Sequence, residues 1–331
     1  MTQITKTLRW FGAAALSATL LAGAGAATAA EMKKVAISTI VEVSALVDVK
    51  NGIIKGLEEA GFIVGKNLEI DYQNANGNMA TQQQIAKKFV GGAPDVIVAI
   101  TTPTAQSMAA VTKEIPIVFA AVTDPIKAKL VSQFIKPGAN ITGASDAAPY
   151  GPQLDLFKEI MPGLKKLGFI YNPGLDNSLS ALARMKEEGA ARGIEIVESV
   201  SPTTNEVIVA TRKLVGKVDA IYVPNDTTVV SAMETIVKIG REAKVPVVNG
   251  ETGGVKRGSI ASLGFDYFEG GRLAGQMAAK ILNGTKPGDI NVVAMAKVLS
   301  KFNVHLNMKT ADATGLEIPA AVIAKASKIY K

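Results

Sequence analysis

Apolar and polar positions follow two alternating periods along most of the chain. Short runs rich in β-branched and other apolar residues occupy 35–40, 68–72, 95–100 and 117–122. Runs that are apolar throughout predict strands covered on both faces, as in a parallel sheet. Helical periodicity separates them, over 46–60 with Gly61 as its stop, over 79–89, and from 101 to about 112. The same order then starts again. Strands are predicted at 167–171, 194–200, 219–223 and 246–248, with helices over 178–191 (stopped by Gly193), 205–215 and 229–243. Strand–helix alternation of this kind defines doubly wound α/β units, here two of them.

Segments 140–145 and 259–264 end the two series and read as crossings between them. A helix over 267–282 and a strand at 291–294 follow, then a strand at 304–307 and a helix near 319–330. A chain that returns late to its first unit predicts two lobes joined by several strands, a geometry suited to hinge closure. The expected division is a leader at 1–30, a first lobe of 31–145 plus 267–294, and a second of 146–266 plus 295–331.

The leader has its own pattern. Lys6 and Arg9 precede an apolar stretch at 11–22, and small residues follow, including Ala27-Thr28-Ala29. A basic start, a short apolar middle and an Ala-x-Ala site predict a secretory signal peptide cut near Ala29 or Ala30. The apolar part is shorter than the roughly 20 residues a membrane span needs. The 331-residue chain has no cysteine, which removes disulfides, thiolate metal sites and a lipid-modified Cys at the cleavage point. The expected product is a soluble protein of a Gram-negative periplasm, not a lipoprotein, whose core must hold it together unaided. Net charge is +7, or +5 without Lys6 and Arg9, on lysines that are scattered and not interleaved with aromatics. That pattern predicts solvated faces and no nucleic-acid surface. Nothing signals an obligate oligomer, so a monomer is expected.

Ligands of open parallel sheets bind beyond the carboxyl ends of the strands, and polar residues collect there. Thr101, Thr102 and Thr104 join a strand to a helix, with Pro103 suited to the first turn; free N–H groups and hydroxyls at such a place make an anion site. Thr123 and Asp124 follow the next strand. In the second unit the corresponding positions hold Asn172, Asn177 and Ser178, then Asn225 and Asp226, then Glu251. Asp266 follows the crossing strand, and Ser44 the first strand. Each of these residue types is also an ordinary helix cap; their gathering at one edge of both lobes is what points to a site. Asp226, Glu251 and Asp266 are the candidate partners of a ligand ammonium. Catalytic signatures are absent: one histidine (His305), no Gly-x-Ser-x-Gly elbow and no metal-ligand spacing. Gly61 to Lys66 is one residue short of a phosphate loop, and Asn67 stands where Ser or Thr is needed. Gly270, Gly271 and Gly275 lack the placement of a dinucleotide site and read as close helix packing. A binding protein without metal or cofactor is expected, and no enzyme.

Several stretches carry a resemblance: 95–105 with Thr101-Thr102-Pro103-Thr104, 115–125 with Thr123-Asp124-Pro125, 140–143, 168–173, 223–226, 306–311 and 315–319. Through them nearly the whole mature chain resembles the ABC-transporter substrate-binding family whose members bind tryptophan, tyrosine or phenylalanine. The resemblance implies a type I periplasmic-binding fold, two lobes joined by a three-segment hinge. It also implies delivery of a small solute to an ABC-transporter membrane permease. By motif, Thr102 and Thr104 would hold a carboxylate beside Thr123 and Asp124, with Asn172, Asn225, Asp226 and Asp266 framing an amino-acid head group. Phe119, Tyr150, Tyr171 and Phe265 are candidates for an aromatic clamp. A purine, nucleoside or sugar is the alternative ligand, and a ligand-sensing module for a membrane receptor the alternative role.

Overall fold

The computed structural model describes residues 32–299 and 301–331, so the predicted leader lies outside the described residues. The first series runs β1 (Lys33–Thr39), α1 (Ser44–Glu59), β2 (Leu68–Asn74), α2 (Met79–Gly92), β3 (Val96–Ile100), α3 (Thr102–Val111), β4 (Ile117–Val122) and β5 (Ile141–Ser145). The second runs α4 (Tyr150–Ile160), β6 (Lys166–Tyr171), α5 (Asp176–Ala190), β7 (Glu195–Val200), α6 (Val207–Leu214), β8 (Ala220–Val223), α7 (Thr227–Val230), α8 (Met233–Glu242), β9 (Val247–Asn249), α9 (Gly253–Lys256) and β10 (Ala261–Gly264). The chain then forms α10 (Tyr267–Leu282), β11 (Val293–Ala294), α11 (Met295–Val298), β12 (Asn303–Asn307), α12 (Met308–Thr314), α13 (Ala320–Ile323) and β13 (Lys328–Tyr330).

One sheet has the order β11-β5-β4-β3-β1-β2 and is parallel throughout. The other has the order β13-β12-β10-β9-β8-β6-β7, parallel except for the antiparallel pair β10–β12. The central strands β3 and β8 are buried along their whole length, which is why they read as unbroken apolar runs. The chain passes between the sheets three times, after β5, between β10 and α10, and between β11 and β12.

Helix α10 returns to the first lobe and lies against α1 at backbone distance. A Cβ on Gly52 would sit 2.0 Å from the Phe268 carbonyl oxygen, and one on Gly56 would sit 2.2 Å from that of Arg272. From the other helix, Gly271 and Gly275 meet the carbonyls of Val49 and Ile53 at 2.1 and 2.2 Å. Four glycines thus interlock two helices, and α10 carries Tyr267 at its cleft end.

Two expectations are corrected, and one helix lies where none was predicted. The tail is not a helix over 319–330: only α13 forms, and β13 pairs with β12 from His305 beside Lys328 to Asn307 beside Tyr330. The Ser327 N–H bonds the Val304 carbonyl and leads Ile329 and Tyr330, good strand formers, onto an open edge. The helix expected over 229–243 is two pieces, broken at Ser231 and Ala232, where the Ser231 hydroxyl turns back to the Thr227 carbonyl. Helix α4 was not foreseen, because Pro149, Gly151 and Pro152 at its start look like turn residues.

Candidate ligand-binding site

Between the lobes lies a pocket with about 490 Å³ of space free of protein atoms, part of it open to solvent. The first lobe lines it with Val43, Ala45 and Leu46 ahead of and within the first turn of α1, with Thr101, Thr102 and Pro103 at the start of α3, and with Ala121 and Thr123. The second supplies Asn177, Asn225, Thr227, Val230 and Glu251. Asp146 and Tyr267, one from each of two crossing segments, complete it.

Helix α3 aims its first turn at this space. Its first-turn N–H groups have no carbonyl within the helix to bond, and Pro103 at the second position has none to offer. Thr101, just before it, is held at φ 84° by its N–H bond to the Ala120 carbonyl and a hydroxyl contact with Thr104 at 3.1 Å. A β-branched residue with positive φ is strained, and strain of this kind gathers at ligand sites. The Thr102 hydroxyl and the side-chain oxygens of Asn177 and Asn225 are buried without a hydrogen-bond partner. Buried polar atoms are normally paired; these three belong to pocket residues of both lobes, while Asn249, Ser259 and Ser262 carry further unpaired atoms outside the pocket.

Two buried carboxyls face the same space. Asp146 is 3% exposed. Burial pushes its carboxyl up, opposed by hydrogen bonds from the hydroxyls of Tyr267 (2.9 Å) and Thr123 (3.4 Å). Burial likewise raises Glu251, opposed by the Gly253 N–H at 2.5 Å and the Asn249 amide at 3.0 Å.

Six of the residues named from sequence meet in this wall: Thr101, Thr102, Thr123, Asn177, Asn225 and Glu251. The others stand around it. Thr104 is buried behind the first turn, within 3.5 Å of Gln82. Asp124 accepts from the Lys127 N–H and, across the cleft, from the Ser180 hydroxyl at 3.2 Å. A second bond spans the lobes there, from the Gln106 amide to Asp176 at 2.7 Å. Ser44 and Asp266 line a neighbouring groove with Asp48, Lys256 and His305, and Asp266 caps α10. Asn172 reaches the Pro202 carbonyl and the Thr228 hydroxyl.

Asp226 lies outside the pocket wall. It is fully buried and accepts four bonds, from the N–H groups of Asn172, Thr228 and Val229 and from the Ser178 hydroxyl. It ties β6 and α5 to α7, with no capacity left for an ammonium. Asp226→Ala is therefore expected to unfold more easily, not merely to bind more weakly. Each orphaned buried group costs about 1–3 kcal/mol, so the melting temperature should fall by roughly 6 °C or more. A melting curve within 1–2 °C of wild type would remove this role.

Asp146 and Tyr267 were missed, along with the apolar wall of Val43, Leu46 and Val230. Asp146 directly follows β5, the same kind of strand-end position that singled out Asp266 after the other crossing segment. None of the four clamp candidates reaches the pocket. Phe119, Tyr150 and Tyr171 belong to the lobe cores, and Phe265 packs on Phe302. The aromatic ring in the wall is that of Tyr267.

A two-lobed cleft of this construction defines a solute-binding protein of the type I periplasmic-binding fold. The chain belongs to the ABC transporter substrate-binding protein family, which it matches over residues 34–330. It is 39% identical over 287 residues to a tyrosine-binding protein of Clostridioides difficile, covering 87% of this chain and 82% of that one. A solved ABC domain from Streptococcus pneumonia in complex with L-Trp is 33% identical and superposes with a TM-score of 0.86, covering 90% of this chain and all of that one. A ligand-free, open substrate-binding protein from Clostridium difficile, 38% identical, superposes with a TM-score of only 0.69, covering 91% and 100%. The better match to the complex, despite lower identity, agrees with the bonds that join the two lobes here.

Proposed function

We propose that this chain captures an L-amino acid with a large apolar side chain, in the class of tyrosine, tryptophan or phenylalanine, for an ABC importer. The observation that carries the proposal is the polarity of the pocket. Donors converge at the start of α3, acceptors converge at Asp146, Glu251, Asn177 and Asn225, and Val43, Leu46 and Val230 lie among them. The α-carboxylate takes the α3 N-terminus and the Thr102 hydroxyl, where the helix dipole favours an anion. The α-ammonium takes the acceptors, since an unpaired buried carboxylate is costly. The similarity to a tyrosine-binding protein and to an L-Trp complex supports the aromatic class.

The ligand binds first to the lobe that carries α3. The second lobe then brings Asn177, Asn225 and Glu251 over it, and contacts to both lobes favour the closed state. The closed protein, as a monomer, delivers its ligand to a membrane permease outside the cytoplasm. The leader pattern supports a periplasmic location. No catalytic step is proposed; His305 stands in the side groove against the Thr252 carbonyl.

A thermal-shift panel on residues 31–331, stripped of carried ligand by refolding, tests the class. A ligand at 100 times its Kd adds about 2.7 kcal/mol to the folded state. The expected result is a rise with tyrosine, tryptophan or phenylalanine; a rise with only a purine, nucleoside or sugar would overturn the assignment. Thr102→Val keeps the side-chain volume and removes the hydroxyl. A hydrogen bond to a charged group contributes about 1.5–3 kcal/mol, so calorimetry should show affinity lower by about tenfold or more, with an unchanged melting temperature.

A further inference from the structure

One phenol oxygen sits where three parts of the protein meet. Tyr267 begins α10, the helix interlocked with the first lobe. Its hydroxyl lies 2.9 Å from Oδ2 of Asp146, on another crossing segment, and 2.8 Å from the side-chain amide of Asn225, in the second lobe. Asp146 and Asn225 both line the pocket.

The proton count at that oxygen is restrictive. A phenol has one hydrogen to donate, and an ionised carboxylate can only accept. Tyr267 therefore gives its hydrogen to Asp146 and is left with lone pairs toward Asn225. The atom of Asn225 that faces it must be the NH₂ group, as the geometry has it. The Asn225 carbonyl oxygen then points the other way, toward Gly250 beside the pocket residue Glu251, buried and without a partner.

We infer that Tyr267 is a positioning residue for ligand recognition: by spending its proton on Asp146 it orients the Asn225 amide so that an acceptor, not a donor, meets the ligand's ammonium. This deepens the amino-acid reading and rests on it. The chain Asn225 to Tyr267 to Asp146 has a single direction while Asp146 is ionised. A phenylalanine ring at this position would fill the same space and remove the 2.8 Å bond that fixes the Asn225 amide, leaving only its weaker contact with Asp146 to orient it. The ligand feature read through Tyr267 is the positive amine alone; the carboxylate and the ring are held by other groups.

Two ligands separate this role from a structural one: L-tyrosine and 3-(4-hydroxyphenyl)propionate, the same molecule without its amine. Calorimetry on wild type and Tyr267→Phe gives the ratio of their affinities. Wild type should prefer the amino acid. Tyr267→Phe should lose about tenfold or more of that preference, while its affinity for the des-amino compound stays within about twofold. A residue that only supports the fold would weaken both compounds alike. Adding Asn225→Asp to Tyr267→Phe places an acceptor there whatever its orientation, and the preference should return. Undiminished preference in Tyr267→Phe, or equal weakening of both compounds, overturns the role of Tyr267 and leaves the amino-acid reading standing. A wild type that binds the two compounds equally overturns both.

Discussion

Asp146→Asn is expected to bind its amino acid some 30-fold to several thousandfold more weakly than wild type while folding normally. Removing one partner of a buried, hydrogen-bonded charge pair costs about 2–5 kcal/mol, which gives that range. Asparagine matches the volume of aspartate; its one carbonyl oxygen can still accept from Tyr267, and its amide N–H can donate to the Thr123 hydroxyl in place of the longer 3.4 Å bond. The loss is therefore one of charge at the ammonium. The pH dependence has two opposite signs. Burial raises the Asp146 carboxyl in the ligand-free protein above its unfolded value. The folded form then holds the proton more tightly than the unfolded form. Its contribution to stability is complete below the unfolded pKa and declines as pH rises toward the folded one. Ligand binding runs the other way, since the ammonium needs the ionised form, so affinity should climb with pH across the same interval. In Asp146→Asn this part of both slopes should vanish. Calorimetry between pH 4 and 8 would show it, and near-wild-type affinity in the variant would take Asp146 out of the site.

The second large effect is on stability. Gly271→Ala places a methyl group 2.1 Å from the Val49 carbonyl oxygen, a backbone atom in the middle of α1. No rotamer relieves that contact, so the helices must separate and loosen the core formed by Val49, Ile53, Ala274 and Met277. Overpacking typically costs about 1–3 kcal/mol, and a clash with helix backbone belongs at or above the top of that range. Gly91→Ala is the control. Gly91 lies in α2 with nothing near its Cβ position, and alanine there should be neutral or stabilising by about 0.5–1 kcal/mol. Chemical denaturation compares the two. Equal midpoints would show that α1 and α10 do not depend on bare backbone contact.

Much of this was legible from the chain, for physical reasons that differ by residue. The buried strands could be read because burial on both faces excludes polar positions. Gly271 and Gly275 could be read as packing glycines because they recur four residues apart on one helix face. The site was legible only as an edge. Asp226 and Asn225 are neighbours at the same strand end and both polar, yet one caps α7 and the other faces the pocket. Caps and ligand contacts use the same residue types in the same place, and only the direction of each side chain separates them. Tyr267 was hidden because it precedes an apolar helix face and looks like core. β13 was hidden because three residues on a sheet edge carry too little pattern to outweigh the helical run before them.

The four-glycine interlock also bears on the order of synthesis. Residues 49–56 of α1 find their partners on α10, more than 200 positions later, and the second sheet takes its last strand from Lys328–Tyr330. Neither lobe can complete its packing before these late segments have been made. Chains truncated before α10 should be cut by protease along their whole first lobe, whereas the full chain resists.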